Sequence, residues 1–380
     1  MATPRGGPLA GIRVVELAGI GPGPFAALLL AELGADIVRI DRPGGNTPLN
    51  VSYGLGRSRP SVAVNLKHPD GVATVLRLIE GADILIEGYR PGVTERLGLG
   101  PQECLARNPR LIYGRMTGWG QSGPLAHTVG HDITYAAITG ALHMVGTAQK
   151  PIPPGNLLAD FGGGTFYLVI GLLAALHARE QTGRGQVVDA AMVDGAASLM
   201  TLFYGMHATG LWRDEREVNL LDGGAPFYDT YACADGKFVA VGALEPPFYA
   251  ALLAGLGLTF DTAQYDPDSY PAQRAAFTAA FATRTRDEWV AHFADTDACV
   301  APVLSLTEAP HHPHLVARGV FAEVDGHPAP RIAPRFSDTP AVEPTPDAGN
   351  GAGTTAYLLA HGFTADDVAA LRASGAIAQT

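Results

Sequence analysis

Two short stretches hold the side chains best suited to moving a proton. His131 follows Gly130 where an apolar helical pattern begins, and Asp160 stands just before a second, longer apolar helix. An imidazole at the positive end of a helix is held neutral and can accept a proton near pH 7. The plain alternative for His131 is a helix-start residue with no chemistry, and for Asp160 a helix cap. A cap does not need Gly162, Gly163 and Gly164 behind it. Glycines in a helix cost about 1 kcal/mol each against alanine, and their usual benefit is close approach of a ligand to backbone N–H groups. Glu245, between an apolar strand and Pro246, is a third acid. By itself it reads as an ordinary helix-start carboxylate.

These groups need a scaffold, and the sequence describes one. Val14–Leu17 reads as a strand, residues 19–23 as a turn, Phe25–Leu33 as a helix ended by Gly34, and Ile37–Ile40 as the next strand. Strands at Ser61–Val64, Ile84–Ile86 and Leu111–Tyr113, with a helix at Gly71–Ile79, continue the alternation. The fold class expected is α/β: a large, Rossmann-like, doubly wound parallel-sheet domain. From Gly130 to about Ala208 helices are expected at Ile133–Val145, Phe161–Arg179 and Ala190–His207, with a short strand at Gln186–Asp189. A smaller α+β domain follows. Its signature is a hairpin, Tyr228–Cys233 and Lys237–Val241 around Asp235-Gly236, then helices near Pro247–Leu256, Tyr270–Thr283 and Asp287–Asp295. The domains expected are 1–208 (large), 209–227 (linker), 228–323 (small) and 324–380, a Pro-rich return to the large domain with a last helix near Thr364–Ser374.

Composition narrows the partners. The chain of 380 residues has 26 basic and 37 acidic side chains, a net charge of −11, which argues against nucleic acid or an anionic membrane as the main partner. The longest apolar run, Phe166–Leu176, is about half a membrane span. Cys104, Cys233 and Cys299 are scattered and odd in number, which points to a reducing compartment. Met1–Leu9 lacks the apolar core of a leader and Ile377–Thr380 is no peroxisomal address, so a cytoplasmic protein is expected. The turn after the first strand, with Asp41 about twenty residues on, imitates a dinucleotide fingerprint. It reads G-I-G-P-G-P, however, and Pro22 and Pro24 lack the N–H groups a pyrophosphate cradle requires. His311-His312-Pro313-His314 reads as exposed loop, not a metal site.

A dense set of motifs resembles the alpha-methylacyl-CoA racemase branch of the family III (CaiB/BaiF-type) CoA-transferases. They are V-V-E-L-A-G-I-G-P-G-P (Val14–Pro24), R-I-D-R-P (Arg39–Pro43), E-G-Y-R-P-G-V (Glu87–Val93), T-G-W-G-Q-S-G-P (Thr117–Pro124) and G-H-D-I-T-Y (Gly130–Tyr135). N-L-L-A-D-F-G-G-G (Asn156–Gly164), T-G-R-G-Q-V-V-D-A-A-M-V-D-G (Thr182–Gly195), L-D-G-G-A-P-F-Y (Leu221–Tyr228), V-A-V-G-A-L-E-P-P-F-Y (Val239–Tyr249) and T-D-A-C-V-A-P-V (Thr296–Val303) follow in order. The resemblance implies His131 and Asp160 as the two acid/bases and Glu245 as the group orienting His131. It implies that Arg42, Val64, Asn65, Leu66, Lys67 and Arg90 contact coenzyme A, and that Gly130, Asp132, Ile133, Thr134 and Tyr135 complete the substrate site. Asn65 and Thr134 stand where relatives usually carry aspartate and asparagine. It further implies an interlocked homodimer and a 2-methylacyl-CoA substrate in branched-chain fatty acid metabolism, with no metal, flavin or nicotinamide cofactor.

The chemistry so implied is racemisation. The α-proton of a thioester is a weak acid, so the developing enolate oxygen must meet preorganised donors, expected here from N–H groups near Asp160–Gly163. One base then serves each face of the planar enolate. Two rivals remain: a family III CoA-transferase using Asp160 as nucleophile, and a CoA-binding scaffold without turnover.

Overall fold

The computed structural model describes residues 6–45 and 54–379. The leader-free reading of Met1–Leu9 and the reading of Ile377–Thr380 therefore lie partly outside the described residues.

The chain divides into two compact units. The first comprises Met1–Thr139, Pro154–Met200 and Val316–Thr380, and the second Gly140–Pro153 and Thr201–Leu315. The first unit is built on a seven-stranded sheet. Its opening β-α-β unit is β1 (Arg13–Leu17), α1 (Pro22–Glu32) and β2 (Asp36–Asp41). Next come β3 (Ser61–Val64), α2 (Pro69–Ile79), β4 (Ile84–Glu87) and β5 (Ile112–Thr117). With the strand Gln186–Ala191 beyond β5 they form a parallel set in the order β3-β2-β1-β4-β5, the doubly wound arrangement. A last short strand, Ile377–Ala378, pairs antiparallel with β3. β1 to β5 are buried along almost their whole length because both faces of the sheet are covered there. Val15, Leu17, Val38, Ile40 and Leu85 pack with Val75, Leu78 and Ile79 of α2 and with Leu358, Phe363 and Val368 near the chain's end.

The opposite face carries the long helix Phe166–Thr182, on which Leu168 and Leu172 lie against Gly114 of β5. It continues without a break from a nine-residue π-helix, Leu157–Thr165, so the apolar run Phe166–Leu176 is part of a longer helix. Together they run 26 residues and are long and apolar enough to cross a membrane by length and composition. In the fold Leu168, Leu172 and Ala175 are buried, and so is Arg179, which pairs with Asp83 at 2.8 Å.

The second unit is α+β. The strands Tyr228–Ala232, Phe238–Gly242 and Val300–Pro302 form an antiparallel sheet, with Gly236 at φ +74° in the hairpin turn. Helices Pro246–Leu256, Tyr270–Phe281 and Arg286–Phe293 cover it, burying Phe277, Phe281, Trp289 and Phe293. The histidine cluster at 311–314 is not loop throughout. Ala309–His311 is a 3₁₀ turn and Pro313–Ala317 a short helix, neither with a buried residue. Among the described residues no three His, Cys, Asp or Glu side chains are grouped to hold a metal.

Candidate active site

In a doubly wound sheet the crevice opens where strand order reverses, beyond the carboxyl ends of the central strands. Here that point lies between β1 and β4. The loops leaving them, with Ile20 and Pro22 on one side and Gly88, Tyr89 and Arg90 on the other, form part of the wall of a cleft of about 270 Å³. His131 and Asp160 stand in the same wall with Gly130 and Tyr135. A second, larger hollow of about 660 Å³ is lined by Arg42, Val64, Asn65, Leu66 and Lys67. Tyr89 lines both, so the two hollows adjoin.

Asp160 is not a cap: the helix begins at Leu157, and Asp160 is its fourth residue. Its carboxyl is half-buried, receives a long hydrogen bond from Asn156 Nδ2 (3.4 Å) and faces Gly21 at the start of α1. Burial, aided by the Asp132 charge, pushes it up to about 6, while Asn156 and His131 act the other way. A carboxyl in that range is suited to giving and taking protons near neutral pH.

Of the three glycines behind Asp160, Gly163 and Gly164 are required by packing. A Cβ on Gly163 would lie 2.6 Å from the Ala196 nitrogen, one on Gly164 2.8 Å from Met192 Cγ, and one on Gly195 1.8 Å from the Gly163 oxygen. They let the π-helix touch the helix Met192–Leu199 backbone to backbone. The donors expected at Asp160–Gly163 are likewise not open at its start. The N–H groups of Ala159 and Asp160 both donate to Asp132 Oδ2, at 2.7 and 2.8 Å.

His131 immediately precedes the helix Asp132–Ile138 and is exposed. Thr134, in place of the usual asparagine, fixes the backbone there: its hydroxyl accepts from the His131 N–H (3.0 Å) and donates to the His131 carbonyl (2.7 Å). The N–H groups of Asp132 and Ile133 have no acceptor among the described residues. Tyr135 is buried beneath His131, its hydroxyl pushed up to about 12 mainly by burial, and its ring meets Trp119 edge-on at 4.7 Å. Gly130 is required by that packing, because a Cβ there would sit 2.5 Å from Tyr135 and 3.0 Å from Trp119 Nε1.

Of the other expected contacts, Arg90 lines the cleft with His131 rather than the larger hollow. The Arg42, Lys67 and Arg90 side chains form no ion pair or hydrogen bond among the described residues, which leaves three cations facing the hollows of an acidic protein. The Asn65 side chain accepts from the Lys67 N–H at 3.1 Å, closing the turn after β3. Asp132, Ile133 and Thr134 line neither hollow. Glu245 is exposed at the start of the helix Pro246–Leu256, in the second unit.

The model of CoA-transferase family III matches residues 9–351. The chain belongs to that family. It is 46% identical over 366 residues to the alpha-methylacyl-CoA racemase of Mus musculus, covering 95% of each chain. It is 47% identical over 338 residues to the alpha-methylacyl-CoA racemase of Homo sapiens, covering 88% of each. Among solved structures, a CaiB/BaiF family protein from Brucella suis superposes with a TM-score of 0.77 at 27% identity, over 93% of this chain and all of that one. The family match takes in the whole of both hollows.

Sequence reasoning passed over several residues of the cleft. Ile20, Tyr89, Trp119 and Met192 all line it. All four lie inside the quoted motifs, and the glycines and prolines of those motifs are the available signal. Trp119 Nε1 is buried with no acceptor among the described residues.

Proposed function

We propose that this chain is an alpha-methylacyl-CoA racemase, an isomerase that inverts the α-carbon of 2-methyl-branched acyl-CoA thioesters by a 1,1-proton transfer. The observation that carries the reading is one cleft walled by both His131 and an Asp160 carboxyl raised to about 6. The names of its mammalian relatives support the substrate class. One group takes the α-proton, leaving a planar enolate, and the other returns a proton to the opposite face. The developing enolate oxygen would need preorganised donors on the cleft wall. The nucleotide end of the thioester would lie in the larger hollow, where Arg42 and Lys67 would meet its phosphates. Arg90, at the cleft, would steady the portion between. CoA enters as part of the substrate, and the reaction draws on no separate cofactor. The role of Glu245 as the orienting partner of His131, the interlocked homodimer, the part in branched-chain fatty acid metabolism and the cytoplasmic setting rest on resemblance and composition. Sedimentation at micromolar concentration and cell fractionation test the assembly and the setting.

The deciding assay is exchange of the α-hydrogen of a 2-methylacyl-CoA in heavy water, with no acceptor acid present. Racemisation predicts wash-in of deuterium with loss of optical purity. Transfer of CoA to an added carboxylic acid, with no wash-in, would instead make Asp160 the nucleophile of a CoA-transferase. His131→Ala should abolish racemisation while Asp160 still washes label into one enantiomer.

A further inference from the structure

Asp132 lines neither hollow, yet it touches both halves of the proposed chemistry. It follows His131 as the first residue of a helix and is only 5% exposed. Its Oδ2 accepts from the Ala159 and Asp160 amides, and its Oδ1 is buried with no partner among the described residues. A buried carboxylate without a cation is costly, and such a group is retained where its hydrogen bonds do something. A π-helix bonds each N–H five residues back, so the first amides of Leu157–Thr165 have no acceptor inside it. Asp132 supplies the acceptor for two of them, one belonging to Asp160 itself.

We propose that Asp132 is the positioning residue that locks the two proton-transfer groups to each other, one backbone step from His131 and gripping the backbone that carries Asp160. The proposal rests on the racemase reading for its kinetic consequence but not for its structural one. A fixed spacing matters because both groups must reach the same carbon from opposite faces, and a misplacement of about 1 Å can cost about a hundredfold in rate. The grip also brings a second negative charge to Asp160, which joins burial in keeping that carboxyl protonated to higher pH. The other titratable groups on elements packed against the π-helix are Glu32 on α1, Tyr135 beside His131, and Asp189 and Asp194 around the strand Gln186–Ala191. The long helix adds Tyr167, His177, Arg179 and Glu180. None of these is among the causes of the Asp160 shift, whereas Asp132 and His131 are.

Two substitutions separate grip from charge. Asp132→Asn keeps an oxygen for the two amides and discards the charge; Asp132→Ala discards both. The Asp160 carboxyl can be followed by ¹³C NMR titration, assigned by its disappearance in Asp160→Asn. In Asp132→Asn its midpoint should fall by about half a unit or more from about 6. The acid limb of α-hydrogen exchange should move down with it, with the plateau within about tenfold of the parent. Asp132→Ala, if folded by its melting curve, should lose about a hundredfold in exchange for both enantiomers. An unmoved Asp160 midpoint in Asp132→Asn, or parental exchange in Asp132→Ala, overturns the proposal. Should Asp132→Ala not fold, Asp132→Asn decides alone. Absence of exchange in the parent protein would sink the racemase reading, and the NMR titration would still judge Asp132.

Discussion

Asp160 should make the protein less stable at the pH where it works. Its carboxyl ordinarily titrates near 3.8 and in the fold near about 6. Because the folded value is the higher one, the native state holds the proton more tightly. Stability is therefore fullest below about 3.8 and is lost as pH rises toward about 6. The shift of about two units corresponds to about 3 kcal/mol if the group were fully sequestered. The carboxyl is partly open to the cleft, so screening reduces this to about 1–2 kcal/mol. Asp160→Asn removes the charge, keeps the shape, and forfeits no helix cap, since Asp160 lies inside the π-helix. Its denaturation free energy in urea should exceed the parent's by about 1–2 kcal/mol at pH 7.5 and by about half that at pH 5. Racemisation should meanwhile be lost. A variant less stable than the parent at pH 7.5, or a difference that does not change with pH, would refute the reasoning.

Other substitutions test the packing and the hollows. Gly130→Ala drives a methyl into Tyr135 and Trp119. It should cost about 1–3 kcal/mol in stability and at least tenfold, as an order-of-magnitude figure, in α-hydrogen exchange, read by melting and by deuterium wash-in. Gly195→Ala meets the Gly163 carbonyl at 1.8 Å, and a loss of about 3 kcal/mol or more should appear as poor soluble yield. Arg42→Ala should raise KM for acyl-CoA about tenfold or more with kcat little changed, as expected when a charge-assisted phosphate contact worth about 1.5–3 kcal/mol is removed. A drop in kcat alone would place Arg42 elsewhere.

The scaffold was legible where local chemistry and tertiary demand agree. The alternation of short apolar strands with helices gave the parallel sheet, and Asp235-Gly236 gave the hairpin, because periodicity and turn residues act over a few positions. The readings failed where distant neighbours decide. The helix expected over Ile133–Val145 ends at Ile138, since Gly140 turns the chain at φ +80°. The one expected over Ala190–His207 loses Ala190 and Ala191 to the sheet, where they pair with Met116 and Thr117, and breaks at Met200. For the site, His131 and Asp160 could be singled out by type and by their glycine-bearing motifs. The meaning of Gly163 could not, because its cause, the backbone of Gly195, lies some thirty residues on. Nor could the hold of Asp132 on the π-helix, because an aspartate beside a histidine carries no sign of which distant amides it will meet.

The strand Ile377–Ala378 bears on how the molecule is made. It pairs with β3 at Val64 and Ala63, and the Ala376 carbonyl accepts from the Asn65 N–H, so residues far along the chain brace Val64 and Asn65, which line the larger hollow. Closing so wide a loop makes this a late event in folding, governed by non-local pairing rather than local propensity. A ribosome-bound chain still short of residue 377 would carry β3 with an open edge, a surface prone to pair with another chain.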